Sequence, residues 1–156
     1  MVYKKNKLSC SYWIFGRSSN IYSIAIIMKV LLVDAINTLV IPGKGIYEPL
    51  FDLLETYPNR KIVLTGANDE EFIQHGLDKI PYEVFTLKHN PEKSNSDYYK
   101  ILLKHFDLAI NEVVYIEHNL EALRSAESLK IKVFHYDKDL KDINSLNQFL
   151  EINISD

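Results

Sequence analysis

The sequence contains almost no cysteine and has no excess of basic residues. Its single cysteine, Cys10, cannot form an internal disulfide, and no group of cysteines and histidines has the spacing of a zinc finger. This cysteine usage is typical of the reducing cytoplasm. The net charge of -3 gives no basic stripe, so we expect no nucleic-acid partner.

Long apolar runs are also absent. The apolar segment over residues 21–27 is too short to cross a bilayer, and the small-residue cleavage site of a signal peptide is missing. We therefore expect no membrane partner and interpret residues 1–27 as an N-terminal extension ahead of a domain over residues 28–156. The extension would be disordered, loosely docked, or the result of an over-long gene start. A membrane-proximal anchor is the alternative, because basic residues precede the apolar ones.

The remaining composition is that of one globular domain. The chain has 156 residues, of which 47% are hydrophobic and 25% charged, so it can bury a sizeable core. Five short apolar runs predict strands buried on both faces. These runs cover residues 29–34, 61–64, 82–87, 113–116 and 132–136.

Apolar residues at helical spacing predict a helix after each strand. Asn68 is expected to cap the second helix, whose first turn is acidic. Residues 41–45 contain two glycines but no Gly-Lys-Ser/Thr, which favours a flexible connection over a P-loop. Strands that alternate with helices predict an α/β fold, in which a five-stranded parallel sheet is covered on both faces. The residues that predict the apolar helix faces are Tyr47, Leu50, Leu53 and Leu54; Phe72, Ile73 and Leu77; Tyr98, Ile101, Leu102 and Phe106; Leu120, Leu123, Ala126 and Leu129; and Leu140, Ile143, Leu146 and Leu150.

Side chains capable of chemistry follow three of the predicted strands. Asp34 ends the first strand, Thr65 ends the second, and Glu117 and His118 follow the fourth, while Lys93 lies in the loop before the third long helix. Ligands of open α/β sheets bind at the carboxyl ends of the strands. An aspartate nucleophile that attacks phosphorus needs a hydroxyl or amide to hold the phosphoryl oxygens, a lysine to offset their charge, and usually a divalent cation.

In these segments the sequence resembles the haloacid dehalogenase (HAD) superfamily. Asp34-Ala35-Ile36-Asn37-Thr38 is similar to the first motif, Asp-x-Asp-x-Thr, at its first Asp and its Thr. Ile62-Val63-Leu64-Thr65 resembles the second motif, and the stretch that opens with Lys93 resembles the family's lysine segment without its prolines. The fourth motif, an apolar strand that ends in acidic residues, is matched over residues 113–119. The resemblance implies a three-layer Rossmann-like fold over residues 28 to about 150.

The resemblance also implies roles for single residues. Asp34 would be the nucleophile, and Thr65, Gly66 and Lys93 would hold the phosphate. The family's second aspartate, a general acid and base toward the leaving group, is replaced by Ile36, which carries no proton. Loss of this acid and base would lower the rate of ester hydrolysis roughly 10²- to 10⁴-fold.

The implied metal site is altered as well. Asp34 and Glu117 would hold Mg²⁺, which prefers oxygen ligands. His118 stands where the family often has an aspartate, and Ala122 occupies the further acidic position. A histidine suits a transition metal better than magnesium. The alternative interpretation of His118 is a hydrogen-bonding histidine at a helix start.

Only one loop and one helix separate Thr38 from the second motif, so the resemblance implies no large cap domain. The function it implies is that of a phosphatase-type hydrolase with a weakened active site, acting on a phosphorylated small molecule or a protein. The alternative, motivated by Ile36, His118 and Ala122, is a catalytically inactive binding or regulatory protein. A dehalogenase is less favoured, because only the first motif is similar to that class.

Two further patterns carry less information. A response-regulator receiver also has a five-stranded parallel sheet with a phosphorylatable aspartate, but that aspartate ends the third strand. His75, His89, His105 and His135 lack the mutual spacing of a metal site and are interpreted as surface or packing residues.

Overall fold

The computed structural model describes residues 28–154. The interpretation of residues 1–27 as an extension concerns residues outside this range. In chain order the elements are β1 (Val30–Asp34), β2 (Val40–Ile41), β3 (Gly45–Ile46), α1 (Glu48–Glu55), β4 (Lys61–Thr65), α2 (Asp69–Gln74), β5 (Glu83–Thr86), α3 (Ser96–Phe106), β6 (Val113–Glu117), α4 (Leu120–Ser128), β7 (Lys132–His135) and α5 (Ile143–Asn153).

Five parallel strands form one sheet in the order β5-β4-β1-β6-β7. The central strand β1 is entirely buried because its residues, Val-Leu-Leu-Val-Asp, are covered on both faces of the sheet. Full burial of such an aliphatic side chain contributes about 1.5–3 kcal/mol. The five-stranded parallel sheet predicted from the alternating pattern is confirmed.

Two apolar cores lie on the two faces of this sheet. Leu31 and Val33 of β1 face the core that α1 and α5 cover. Val30 and Leu32 face the opposite core, which α3 and α4 cover. This alternation along one strand confirms the predicted three-layer arrangement.

The segment over residues 41–45 forms a tight β-hairpin, so the prediction of a flexible connection was wrong. Val40 pairs with Ile46 in the antiparallel pair of β2 and β3. Gly43 and Gly45 have φ angles of 74° and 87°, a backbone region that glycine adopts without steric cost. The glycines that suggested flexibility instead close the turn between two short strands.

Some residues of the predicted apolar helix faces are exposed to solvent. Ile73 is 65% exposed because α2 ends at Gln74, and the chain turns at Gly76 so that Leu77 is buried instead. In α3, Tyr99 and Leu103 are buried where Ile101 was expected. Leu120 and Leu140 are exposed as well. The predicted apolar faces of α1, α4 and α5 are otherwise largely confirmed, since Leu50 and Leu54, Leu123 and Ala126, and Leu146 and Leu150 are buried.

Between β1 and β4 the described chain contains only the hairpin and α1, and no large cap domain interrupts residues 28–154. This agrees with the expectation of an uncapped site. None of the helices in that range is long and apolar enough to span a bilayer.

Two buried tyrosines allow a test of the hydrogen bonds that connect α3 to the sheet. The Tyr98 hydroxyl lies 2.8 Å from the Thr65 carbonyl oxygen and 3.3 Å from that of Phe85, and donates to them. The buried Tyr136 hydroxyl has no hydrogen-bond partner among residues 28–154. We expect Tyr98→Phe to lower the free energy of unfolding by about 1–3 kcal/mol, since it leaves buried carbonyls unpaired.

Tyr136→Phe is the matched control, because it removes a hydroxyl that makes no hydrogen bond. Its free energy of unfolding should equal or exceed that of the original chain, as measured by urea denaturation. Equal losses of stability in both variants would contradict this account of Tyr98.

Candidate active site

The five side chains that the sequence predicted as site residues meet at the carboxyl edge of the sheet. Val33 of β1 pairs with Ile116 of β6, so the residues that follow them, Asp34 and Glu117, lie side by side. Thr65 ends β4 on the other side of β1. Parallel strands bring these ends together because they all run in one direction.

Lys93 joins the two carboxylates at the centre of the site. Its Nζ donates to Asp34 Oδ1 and, at 2.8 Å, to Glu117 Oε2. Burial disfavours the charged ammonium, but the adjacent Asp34 and Glu117 carboxylates outweigh it and raise the pKa of Lys93. Lys93 is therefore a fixed positive charge between two buried negative ones.

Glu117 is completely buried, and both of its oxygens accept hydrogen bonds. The Tyr115 hydroxyl and Lys93 donate to Oε2, and the backbone N–H of Asn119 donates to Oε1 at 2.8 Å. Burial alone would raise the pKa of Glu117. The charge of Lys93 and hydrogen bonds from His118, Lys93 and Tyr115 reverse the effect and lower that pKa to about 2.

His118 contacts the second oxygen of Asp34. Its Nδ1 lies 2.6 Å from Asp34 Oδ2 and 3.3 Å from Glu117 Oε1, and Thr38 Oγ1 donates to the same Asp34 oxygen at 2.6 Å. Hydrogen bonds with Asp34 and Glu117 raise the pKa of His118 to about 9 against the opposing effect of burial. The histidine is thus a second cation beside the two carboxylates.

Asp34, Glu117 and His118 also offer ligand atoms for a metal ion. One such atom from each lies within 4.8 Å of the other two. Carboxylate oxygens suit Mg²⁺, so the two acidic residues fit a divalent cation. All four of their oxygens already face protein donors, and a cation would compete with Lys93 and His118 for them.

A pocket of about 390 Å³ opens above this cluster. Its volume lies in the range of small-molecule sites. Asp34, Thr65, Gly66, Lys93 and His118 line it. Ile36 also lines the pocket, so part of its wall is apolar.

A histidine network forms one wall of the pocket. His89 Nε2 lies 2.6 Å from Glu71 Oε2, and its Nδ1 lies 2.8 Å from Glu92 Oε1. A Cβ on Gly66 would approach His89 Nδ1 to 3.1 Å, which explains the glycine at that position. Hydrogen bonds to Glu71 raise the pKa of His89. The network ties the loop that carries Lys93 to the start of α2.

Two histidines gave no sign in the sequence of lining a pocket, although His89 is exposed as a surface residue would be. His75 and His89 were interpreted as surface or packing residues, and both line the pocket. By contrast, His105 packs against Phe85 and Phe106, as a packing residue would. Linear spacing could not reveal the pocket position, because His89 reaches it through a loop and His75 through the end of α2.

Partners of the acidic residues were also missed. Tyr115 lies two positions before Glu117 on β6, where strand alternation puts both side chains on one face, and this signal could have identified it. Asn119 caps α4 through its side chain and holds Glu117 through its N–H, a pairing that only the folded chain shows.

Comparisons with known proteins agree with this arrangement at the level of the fold. No family model matches the sequence, and no curated protein does. An uncharacterized protein from Corynebacterium glutamicum is similar in structure with a TM-score of 0.54 and 14% identity, over 78% of this chain and 95% of that one. A HAD-superfamily hydrolase, subfamily IA, from Geobacter sulfurreducens gives a TM-score of 0.54 and 13% identity, over 74% of this chain and 90% of that one. The chain therefore has a HAD-like fold.

Proposed function

We propose that the chain is a phosphatase-type hydrolase in which Asp34 is the nucleophile. One observation carries the proposal: Lys93 bridges Asp34 and Glu117 at the floor of a pocket that Thr65 and Gly66 also line. Such a pocket combines a carboxylate with groups that can hold phosphoryl oxygens. The single cysteine fits a reducing compartment, the cytoplasm, as the place of action.

The reaction proceeds in two displacements. A carboxylate oxygen of Asp34 attacks phosphorus, the bond from phosphorus to the ester oxygen breaks, and the alcohol leaves with a proton from water. Water then attacks the aspartyl phosphate, releasing inorganic phosphate and restoring the carboxylate. Lys93 offsets the charge on the transferred phosphoryl group, and the Thr65 hydroxyl and the Gly66 N–H orient its oxygens.

A divalent cation, Mg²⁺, would be held by Asp34 and Glu117, with His118 beside it. Such an ion supplies a Lewis acid toward phosphoryl oxygens. His118 already balances part of the carboxylate charge through its contact with Asp34. The protein's own groups thus stabilise the site whether or not the cation is bound.

Ile36 determines which esters react well. An isoleucine cannot protonate the leaving oxygen, so esters whose alcohol is acidic, such as aryl phosphates, should react faster than alkyl phosphates. The pocket volume of about 390 Å³ suits a phosphorylated small molecule. Because no large cap covers it in residues 28–154, a phosphorylated side chain on a protein could also enter.

A catalytically inactive binding or regulatory role is the second candidate. The observation that favours it is the saturation of the site: each carboxylate oxygen faces an internal donor, and Ile36 occupies the acid position. In that case the pocket would bind phosphorylated groups without cleaving them.

Asp34→Asn should abolish phosphate release. The amide is close in size to the carboxylate but is a poor nucleophile, so the covalent intermediate cannot form. The measurement is inorganic phosphate released from an aryl phosphate in the presence of Mg²⁺. Asp69→Asn is the control, since its exposed side chain lies outside the pocket and its loss should leave turnover unchanged. Undiminished release by Asp34→Asn would refute the nucleophile assignment.

Ile36→Asp should raise turnover of alkyl phosphates far more than that of aryl phosphates. A carboxyl group at this wall can protonate the leaving oxygen, an effect typically worth roughly 10²- to 10⁴-fold. Ile36→Asn is the control, because asparagine is polar and similar in shape to aspartate but transfers no proton. If both variants changed the two rates equally, Ile36 would not occupy the acid position.

Mg²⁺ should raise the melting temperature, and more so in His118→Ala. Removing the imidazole frees Asp34 Oδ2 and Glu117 Oε1 for the cation. A free ligand concentration of one hundred times Kd stabilises the folded protein by about 2.7 kcal/mol. The melting temperatures of the original chain, His118→Ala and Asp34→Asn are measured at increasing Mg²⁺ concentration. Asp34→Asn lacks one charged ligand and should show the smallest shift. The absence of any shift in all three proteins would exclude this cation site.

A further inference from the structure

The charged cluster of the active site has two sides. On one side, Lys93 contacts one oxygen of each carboxylate, Asp34 Oδ1 and Glu117 Oε2. On the other side, His118 Nδ1 lies 2.6 Å from Asp34 Oδ2 and 3.3 Å from Glu117 Oε1. One nitrogen and two oxygens therefore form a separate set of metal-ligand atoms. An ion bound by this set would leave both contacts of Lys93 in place.

The spacing of these three atoms suits a small divalent ion. Bonds from Zn²⁺ to histidine nitrogen and carboxylate oxygen are about 2.0–2.2 Å long, so neighbouring ligands lie roughly 2.8–3.6 Å apart. The separations of 2.6 and 3.3 Å from His118 Nδ1 require only small movements to match. Within residues 28–154 no other group of three histidine, cysteine or acidic side chains brings its ligand atoms so close together. The geometry therefore favours direct ligation by His118.

Two further hydrogen bonds orient the oxygens of this set. Thr38 Oγ1 donates to Asp34 Oδ2 at 2.6 Å, and the backbone N–H of Asn119 donates to Glu117 Oε1 at 2.8 Å. Each carboxylate oxygen has about two acceptor sites, so the site that now faces His118 is the one an ion would use. Hydrogen-bond partners of this kind fix the ligands of a metal and raise its affinity. The two oxygens are therefore held in place before an ion binds.

We propose that Asp34, Glu117 and His118 bind a Zn²⁺-like transition-metal ion in preference to Mg²⁺, with His118 Nδ1 as the third ligand. Imidazole nitrogen is a good ligand for zinc and related first-row ions, whereas Mg²⁺ takes oxygen ligands. The proposal concerns the ion used by the hydrolase proposed above, and it makes His118 a ligand rather than a neighbour. Mg²⁺ is then the ion that the two carboxylates bind when the imidazole is removed.

Binding through His118 also changes the charge of the cluster. In the structure the two carboxylates are balanced by Lys93 and His118. An ion at His118 Nδ1 takes the place of the proton there, so one positive charge is exchanged for two. The cluster then has a net positive charge, which attracts a phosphate monoester. A protonated imidazole repels Mg²⁺, whereas an unprotonated one donates an electron pair to a transition metal. The same side chain therefore has opposite effects on the two ions.

Opposite effects of one substitution on two ions test the proposal. His118→Ala removes a ligand of Co²⁺, the probe for Zn²⁺-like ions, but removes a competitor of Mg²⁺. The Kd for Co²⁺ should rise by at least roughly 10- to 100-fold, the range for mutating a residue that only supports a ligand. The Kd for Mg²⁺ should fall. Both are measured by isothermal titration calorimetry on the full chain without substrate. Changes of the same sign for both ions, or no Co²⁺ binding to the original chain, would overturn the proposal.

The visible absorption of bound Co²⁺ reports nitrogen ligation directly. Its d–d bands change in position and intensity when an imidazole nitrogen is replaced by an oxygen. His118→Asp gives a set of three carboxylates, so its Co²⁺ complex should have shifted bands and its affinity for Mg²⁺ should exceed that of the original chain. Identical Co²⁺ spectra in His118→Asp and the original chain would show that His118 is not a ligand. His118→Gln, whose amide can still donate to Asp34, replaces His118→Ala if that variant does not fold.

Two controls exclude other ligands of Co²⁺. All proteins carry Cys10→Ser, which removes the single thiol of the chain. His105→Gln changes an exposed histidine that packs against Phe85 and Phe106 outside the pocket, so both Kd values should stay the same. An equal loss of Co²⁺ binding in His105→Gln and His118→Ala would assign the ion to surface histidines and overturn the proposal.

Failure of this metal site can be distinguished from failure of the hydrolase function. Ion binding is measured without substrate and does not depend on phosphate release. If Asp34→Asn abolishes phosphate release but His118→Ala weakens neither ion, the hydrolase assignment stands and His118 is not a ligand. If His118→Ala has opposite effects on the two ions but no phosphoester is cleaved, the metal site stands and the hydrolase assignment is wrong.

Discussion

The site depends on one interaction, the contact of Lys93 with both Asp34 and Glu117. Parallel pairing of β1 with β6 forces these two carboxylates together at the edge of the sheet, where both are buried. Buried carboxylates without a partner are strongly unfavourable, so the fold requires a cation at this point. The lysine comes from a loop rather than from the sheet. The position of that loop, which His89 ties to the start of α2, therefore controls the electrostatics of the whole site.

Most of the fold followed from local patterns in the sequence. Continuous apolar runs predicted all five strands of the sheet. The central strands β4, β1 and β6 are buried as expected, because strands covered on both faces have no polar side. The edge strands β5 and β7 are only partly buried, so the expectation of burial on both faces was wrong for them. Asn68 predicted the start of α2, and its side chain and that of Glu71 form the capping box there. The hairpin at residues 40–46 and the exposed Ile73 were not predictable. Both depend on turns at glycines with positive φ angles. The spacing of apolar residues does not predict where such turns occur.

The sequence predicted which residues lie at the site, but not how their side chains contact one another. The strands of a parallel sheet all end at the same edge, however their side chains pack. The position of Asp34, Thr65 and Glu117 at strand ends was therefore enough to predict that they lie together. The contact of His118 with Asp34, the hydrogen bond from Tyr115 and the location of His89 all depend on side-chain directions after folding. The catalytic and metal-binding roles of these residues remain predictions, since geometry shows only that they can act together.

Charge balance limits how the central cluster can hold a phosphate. The central cluster contains two carboxylates, Asp34 and Glu117, and two cations, Lys93 and His118, so its charges cancel. A phosphate monoester brings additional negative charge, which a neutral cluster cannot offset. The compensation must come from a bound divalent cation or from a cation that has no internal partner.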